Sequence, residues 1–269
     1  MTYQTLNGPS AISREASQSS VRAQPARLLV IIPAYNEAAS LPALFGELNA
    51  LRQSSIWPAP WQLDVLVVND GSTDNTAEVM AGLPAGRHLR MISLACNLGV
   101  GGAVQTGLQF AARQGYDLAM QVDGDGQHPP LEIPRLAEKM SEGQWDMVLG
   151  SRFLQAKGFQ SSAGRRLGIR LFSWVLSVLC RQKFTDTTSG FRIWNRRAIA
   201  VLAEEYPEDY PEVEAILLLH QAGLRMTEVP VRMASRTAGR STIGMLQAII
   251  FLVKVPLALA MNLIRKPRP

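Results

Sequence analysis

Residues 117–130 read DLAMQVDGDGQHPP, an apolar run ending in Asp123 and Asp125, with Gln127 and His128 just behind. Two carboxylates at this spacing can meet around one hard divalent cation, which prefers oxygen ligands and keeps positions open for phosphate oxygens. A strand ending in such a cluster delivers it to the carboxyl edge of a sheet, where open α/β folds bind ligands. Asp, Gly and Pro are also turn formers, so an acidic turn without chemistry is the competing reading. Two more polar clusters bear on the choice: PAYNE (33–37) and DGSTDNT (70–76) each follow a strongly apolar run.

The elements that would position these clusters follow from patterning. Residues 28–36 and 63–70 are nearly continuous in apolar side chains, as expected of strands covered on both faces. Leu41, Leu44, Phe45 and Leu48 give helical spacing over 37–53, and Asp74 is placed to cap the next helix. A third strand is expected over 88–94, a helix over 99–114, a fourth strand over 117–122, a helix over 131–142 and a strand over 146–151. Strands alternating with helices predict βαβ units and a mostly parallel α/β sheet. Right-handed crossovers would set 33–37, 69–74 and 123–128 on one edge. NLGVGGA (97–103) has the glycines of a dinucleotide fingerprint but follows the third strand, which suits close helix–sheet packing.

Past residue 151 the pattern changes. Residues 164–180 form an amphipathic helix with a basic start (Arg165, Arg166, Arg170), and 185–194 read as a loop entering a strand. Helices over 196–204 and 211–222 precede a strand over 224–233.

The 269 residues suffice for one large domain with a substantial core. A net charge of +5 suits a phosphorylated substrate, nucleic acid or an anionic membrane surface. Cys96 and Cys180 fit no metal spacing and are expected to be buried thiols. Residues 1–26 read as a mobile tail with no apolar signal core, so the catalytic portion is expected to stay in the cytoplasm.

IPAYNE (32–37), VVNDGSTDNT (67–76), VDGDGQHPP (122–130), GSR (150–152) and TSGFR (188–192) occur in that order. In this the chain resembles the family 2 glycosyltransferases, and among them the polyprenol-phosphate sugar transferases typified by dolichyl-phosphate mannose synthase. The resemblance covers about 28–242 and implies a GT-A fold over 27–242. It implies inverting transfer from a UDP- or GDP-sugar to undecaprenyl or dolichyl phosphate, with no nucleic-acid partner. Pro33, Tyr35, Glu37 and Val68 would then line the nucleotide pocket, and Asp70 would hold base or ribose. Asp123, Gly124, Asp125 and Gln127 would form the diphosphate and Mg2+ or Mn2+ site. Arg152 and Arg192 would face donor and acceptor phosphates, with Asp186 as a weak base or an orienter of Arg. Arg236 and Arg240 would belong to a covering loop. There Thr242 stands where the mannosyl enzymes usually carry Lys, and Arg240 would supply the charge.

Several residues keep two readings: Glu37 and Asp74 as pocket or helix-terminal charges, His128 as ligand or loop packing, Glu212 and Glu214 as catalytic or helix N-terminal. Residues 243–264 carry one charge, Lys254, and could span a bilayer, lie on it or pack against a small membrane protein, with RKPRP (265–269) on anionic headgroups at the cytoplasmic face. The Gln-x-x-Arg-Trp motif of processive synthases is absent from the sequence. Transfer to a glycan or soluble acceptor, and a non-catalytic nucleotide-sugar-binding subunit, are the alternatives.

Overall fold

The structure, a computed structural model, describes residues 26–57, 61–84, 88–154, 163–207 and 210–234. Residues 1–25 of the expected 1–26 tail, Arg236, Arg240, Thr242, the 243–264 segment and the basic end lie outside the described residues, as do the side chains of Arg165 and Arg166. The elements in chain order are β1 (Arg27–Ala34), α1 (Leu41–Gln53), β2 (Gln62–Asn69), α2 (Thr76–Gly82), β3 (Leu89–Ser93), α3 (Gly99–Arg113) and β4 (Leu118–Gln121). A 3-10 turn (Pro130–Glu132) then leads to α4 (Ile133–Ser141), β5 (Met147–Ser151), α5 (Ala163–Leu179), β6 (Arg192–Asn195), α6 (Arg196–Glu204), α7 (Pro211–Gln221) and β7 (Met226–Pro230).

One seven-stranded sheet has the order β3-β2-β1-β4-β6-β5-β7. β1 is the hub, parallel to β2 and to β4. Successive residues of β1 serve opposite cores. Leu28, Val30 and Ile32 face α1 and α4, while Leu29 and Ile31 face α3 and the packed α5, α6 and α7. The near-continuous apolar run is thus a central strand covered on both sides. The parallel pairs put the ends of β1, β2 and β4 on one edge, as the crossover rule requires.

β6 is the exception. It lies between β4 and β5 and runs antiparallel to both, with Arg192 opposite Gln121 and Leu149. Its amino end therefore reaches the edge where the parallel strands finish, and the 185–191 loop lands beside the acidic cluster. Other boundaries shift for local reasons. β1 ends at Ala34 because Asn36 turns left-handed (φ 59°), a conformation Asn tolerates, and Asn36 leaves the sheet to bond the β2–α2 loop. α1 consequently begins at Leu41, four residues later than patterning predicts. Among the described residues no helix is long and apolar enough to cross a membrane.

α3 lies so close to β1 that a Cβ on Gly107 would sit 2.4 Å from Ile31 Cγ2. Ile31 is fully buried and cannot retreat. Gly107→Ala adds helix propensity, up to about 1 kcal/mol, but overpacking costs about 1–3 kcal/mol. The expected outcome is a net loss of stability in urea unfolding; a stabilised variant would show that α3 stands off the sheet.

Candidate active site

Three loops build the edge. The first two, after β1 and β2, are laced together. Asn36 Oδ1 accepts the Thr73 and Asp74 amides at 2.8 and 3.2 Å, Ser72 Oγ accepts the Asn36 amide at 3.0 Å, and Thr76 Oγ1 accepts the Glu37 amide at 3.0 Å. Glu37 Oε2 accepts Ser40 Oγ at 2.6 Å beside Pro33 and Gly124, while Tyr35 is half exposed. Asp74 is not the cap residue of α2, which is Asn75. Asp74 instead accepts the Thr76 amide and hydroxyl and the Ala38 amide. Burial opposes its charge, but these bonds hold its carboxyl below the ordinary value.

Asp70 is buried and its Oδ1 accepts the Leu98 amide at 2.7 Å, so part of this carboxylate is spent on the β3–α3 loop. Gly71 (φ 67°) presses on that loop, where a Cβ would lie 2.8 Å from Cys96 C and Asn97 N. Of the 97–103 glycines, Gly99 and Gly102 are not where α3 meets the sheet: a Cβ on Gly99 would touch nothing within 4 Å and one on Gly102 would meet only Leu98, so the close approach falls at Gly107 instead. Val68 is a correction: its side chain is fully buried in the core, so it offers a nucleotide no side-chain contact. Cys96 is another, because it is exposed in the bend after β3. Cys180 is buried as expected, and burial pushes its thiol up to about 11.

The third loop carries the acidic cluster. Asp123 is one-third exposed. Its Oδ1 accepts Gln121 Nε2 at 3.0 Å, and its Oδ2 lies 3.6 Å from His128 Nε2, beyond hydrogen-bond distance. Asp125 is buried, with Oδ1 accepting the Gln127 amide at 3.0 Å around Gly126 (φ 76°). His128 is packing rather than an open ligand. It is buried, its ring lies 4.9 Å from that of Phe191, and Nδ1 accepts the Asp123 amide at 3.0 Å. Gln127 O accepts the Ala234 amide at 3.1 Å, tying this loop to the chain leaving β7. Among the described residues no group of three or more His, Cys, Asp and Glu side chains is gathered to hold a metal by itself.

Opposite stands the 185–191 loop. Arg152, at the exit of β5, donates from Nε and Nη2 to Asp186 at 2.7 Å each, and from Nη2 to Thr188 Oγ1 at 3.0 Å. Burial works against its charge, yet Asp186 outweighs that and Asp123 adds to it, so the guanidinium is held still more firmly protonated. Asp186 is fully buried and acts as the orienter of Arg152.

Arg192 departs from expectation. It is completely buried, with Nε and Nη2 spent on the carbonyls of Ser189 and Thr187, so it braces the loop from beneath instead of facing an acceptor. Burial depresses its affinity for a proton, against the pull of Glu212, Asp186 and Asp123. Burial likewise raises the carboxyl of Glu212, with Arg192 opposing. Glu212 and Glu214 both lie in the first turn of α7. Sequence reasoning missed Gln121, which aims Asp123, and Glu228, which holds Thr185 and Asp186. Gln121 had a signal, a polar side chain in the otherwise apolar strand β4, whereas Glu228 sits in a strand of mixed polarity and had none.

The family profile for glycosyl transferase family 2 matches residues 29–202. The chain belongs to that family. It is 32% identical to undecaprenyl-phosphate mannosyltransferase of Micrococcus luteus, over 80% of this chain and 86% of the relative. It is 29% identical to UDP-N-acetylglucosamine–dolichyl-phosphate N-acetylglucosaminyltransferase of Methanococcus voltae, over 76% and 84%. The fold is that of glucosyl-3-phosphoglycerate synthase of Mycobacterium tuberculosis, solved with Mn2+, UDP and phosphoglyceric acid (TM-score 0.65, 18% identity, 90% and 80% covered). A mannosyltransferase from Pyrobaculum calidifontis, solved with GDP-mannose and Mn2+, matches with a TM-score of 0.61 at 16% identity, over 91% and 66%. The protein is a family 2 glycosyltransferase with a GT-A-like sheet.

Gly190 closes the site. A Cβ there would lie 2.5 Å from Gln121 Nε2 and 3.2 Å from Asp123 Oδ1. Gly190→Ala is expected to keep the fold at a cost of about 1–3 kcal/mol while reducing turnover far more than stability explains. Normal turnover in the variant would show that Gln121 does not aim Asp123.

Proposed function

We propose that this enzyme transfers a sugar from a UDP- or GDP-linked donor to a polyprenyl phosphate at the cytoplasmic face of a membrane, aided by Mg2+ or Mn2+. The observation that carries the reading is Asp123, an aimed and accessible carboxylate on the ligand-binding edge, with the charge of Arg152 acting on it from across the site. An acidic group beside a fixed guanidinium suits a cation-bound diphosphate and a second phosphate. The lipid acceptor is supported by the relatives, which act on undecaprenyl phosphate and dolichyl phosphate by name.

The donor set fits a hard cation that shares its coordination with phosphate. Among the described residues Asp123 has one oxygen without a hydrogen bond, with His128 Nε2 3.6 Å from it, and Gln121 holds the other. Asp123 would hold the ion, with Asp125 and Gln127 behind it. When bound, the cation neutralises charge gathering on the departing nucleoside diphosphate. The remaining work belongs to the side chains. Arg152 keeps Nη1 without a hydrogen bond among the described residues, so that nitrogen can meet a phosphate oxygen while Asp186 fixes the other two. A lipid phosphate is already an anion, so its attack on the anomeric carbon needs no strong base. Asp186 is accordingly spent on aiming. Attack from the face opposite the leaving diphosphate inverts the anomeric centre.

Incubation of radiolabelled UDP- and GDP-sugars with undecaprenyl phosphate should yield a chloroform-extractable product, lost with EDTA and restored by Mn2+ or Mg2+. Asp123→Asn should lower kcat by about 100-fold, or about 3 kcal/mol in the barrier. Product on a soluble acceptor such as 3-phosphoglycerate, with none on lipid, would overturn the acceptor assignment.

Membrane residence has its own support. Leu171, Trp174 and Val178 are exposed at i, i+3 and i+7 on α5, with exposed Arg170, Arg181 and Lys183 nearby. An apolar stripe with a cationic border suits the surface of an anionic bilayer, and the apolar 243–264 segment would add to it. Trp174→Glu combined with Val178→Glu should reduce co-sedimentation with phosphatidylglycerol vesicles and leave turnover on short, water-soluble prenyl phosphates near normal. Unchanged sedimentation would remove α5 from the membrane contact.

A further inference from the structure

Glu228 is the middle residue of β7, paired with Leu149 of β5. Its carboxylate accepts the Thr185 amide at 3.0 and 2.9 Å, the Asp186 amide at 3.0 Å and the Thr185 hydroxyl at 2.7 Å. The proton of that hydroxyl goes to Glu228, so Thr185 Oγ1 must accept from Ser151 Oγ, 2.6 Å away. Ser151 Oγ in turn accepts the Phe153 amide at 3.2 Å. The donors thus run in one direction, from the exit of β5 through Thr185 to Glu228. The next residue, Asp186, grips Arg152 with both oxygens.

We propose that Glu228 is a positioning residue for sugar transfer: it fixes the Thr185–Asp186 backbone and, through Asp186, sets the direction of the Arg152 guanidinium. The inference rests on the reading of Arg152 as a phosphate-binding group. A carboxylate suits the task because both its oxygens accept. An amide at 228 offers one acceptor, and its NH2 would oppose the backbone N–H groups it must replace. Burial raises the Glu228 carboxyl, and the bonds from Asp186 and Thr185 counter that rise by favouring the ionised form.

The test is a double-mutant cycle of Glu228→Gln and Arg152→Lys in the full chain, reading kcat, KM for undecaprenyl phosphate, affinity for UDP with Mn2+, and thermal unfolding. Glu228→Gln alone should reduce kcat about 10- to 100-fold, with UDP–Mn2+ affinity nearly unchanged; in the Arg152→Lys background the further loss should be about 3-fold or less. Equal losses in both backgrounds, or a loss that tracks unfolding alone, would overturn the proposal. Should Glu228→Gln fail to fold, Thr185→Val removes only the hydroxyl link and must show the same dependence on Arg152; independence there overturns it too. If no lipid-linked product forms with any donor, the acceptor reading fails, and the cycle is then read on hydrolysis of the nucleotide sugar, where the same two outcomes decide it separately.

Discussion

Arg192 of β6 is registered against Gln121 of β4, and that antiparallel pairing determines what the site can contain. Only a strand entering from the carboxyl edge can bring the residues just before it to the ends of β1, β2 and β4. With β6 reversed, Gly190 presses on the Gln121–Asp123 pair and Asp186 reaches Arg152 from β5. Had β6 run parallel, the Thr-Ser-Gly-Phe-Arg segment would begin at the opposite edge. Arg192 underwrites the arrangement by taking the Ser189 and Thr187 carbonyls, groups that would otherwise be stranded away from water.

The site consequently separates into groups that face the edge and groups that hold them. Asp123 and Arg152 face it; Gln121, Asp186, Arg192 and Glu228 sit behind, each satisfying donors or acceptors of a neighbouring loop. Buried polar networks of this kind are stiff because any member left unpaired costs a desolvated hydrogen bond. Stiffness of that kind suits a catalytic site, since dipoles that stabilise developing charge must already point correctly.

Much of this was legible in the sequence. The apolar runs of β1 and β2 could belong only to strands covered on both faces, and the handedness of crossovers then fixed a common edge. The direction of β6 was not legible, because four residues, RIWN, carry no information about which end enters first. Arg192 was read as facing phosphate because a motif conveys residue type and not depth. Its carbonyl partners lie three and five residues away, in a loop whose path no periodicity reveals. Glu228 escaped because one acid in a strand looks like a solvated edge charge until β7 is paired with β5. Val68 and Cys96 erred in opposite directions: motif membership put Val68 at the ligand, and composition put Cys96 in the core.

The hydrogen bond from the Ala234 amide to Gln127 O has a consequence for dissecting this enzyme. Gln127 belongs to the same turn as Asp123 and Asp125, so the chain departs from β7 while still stitched to the acidic loop. A cut made before Ala234, however tidy it looks on a map of strands and helices, would unpick that turn. Chimaeras that exchange carboxy-terminal portions between relatives therefore need their seam downstream of this stitch, or they will trade away the geometry of the acidic turn along with the exchanged residues.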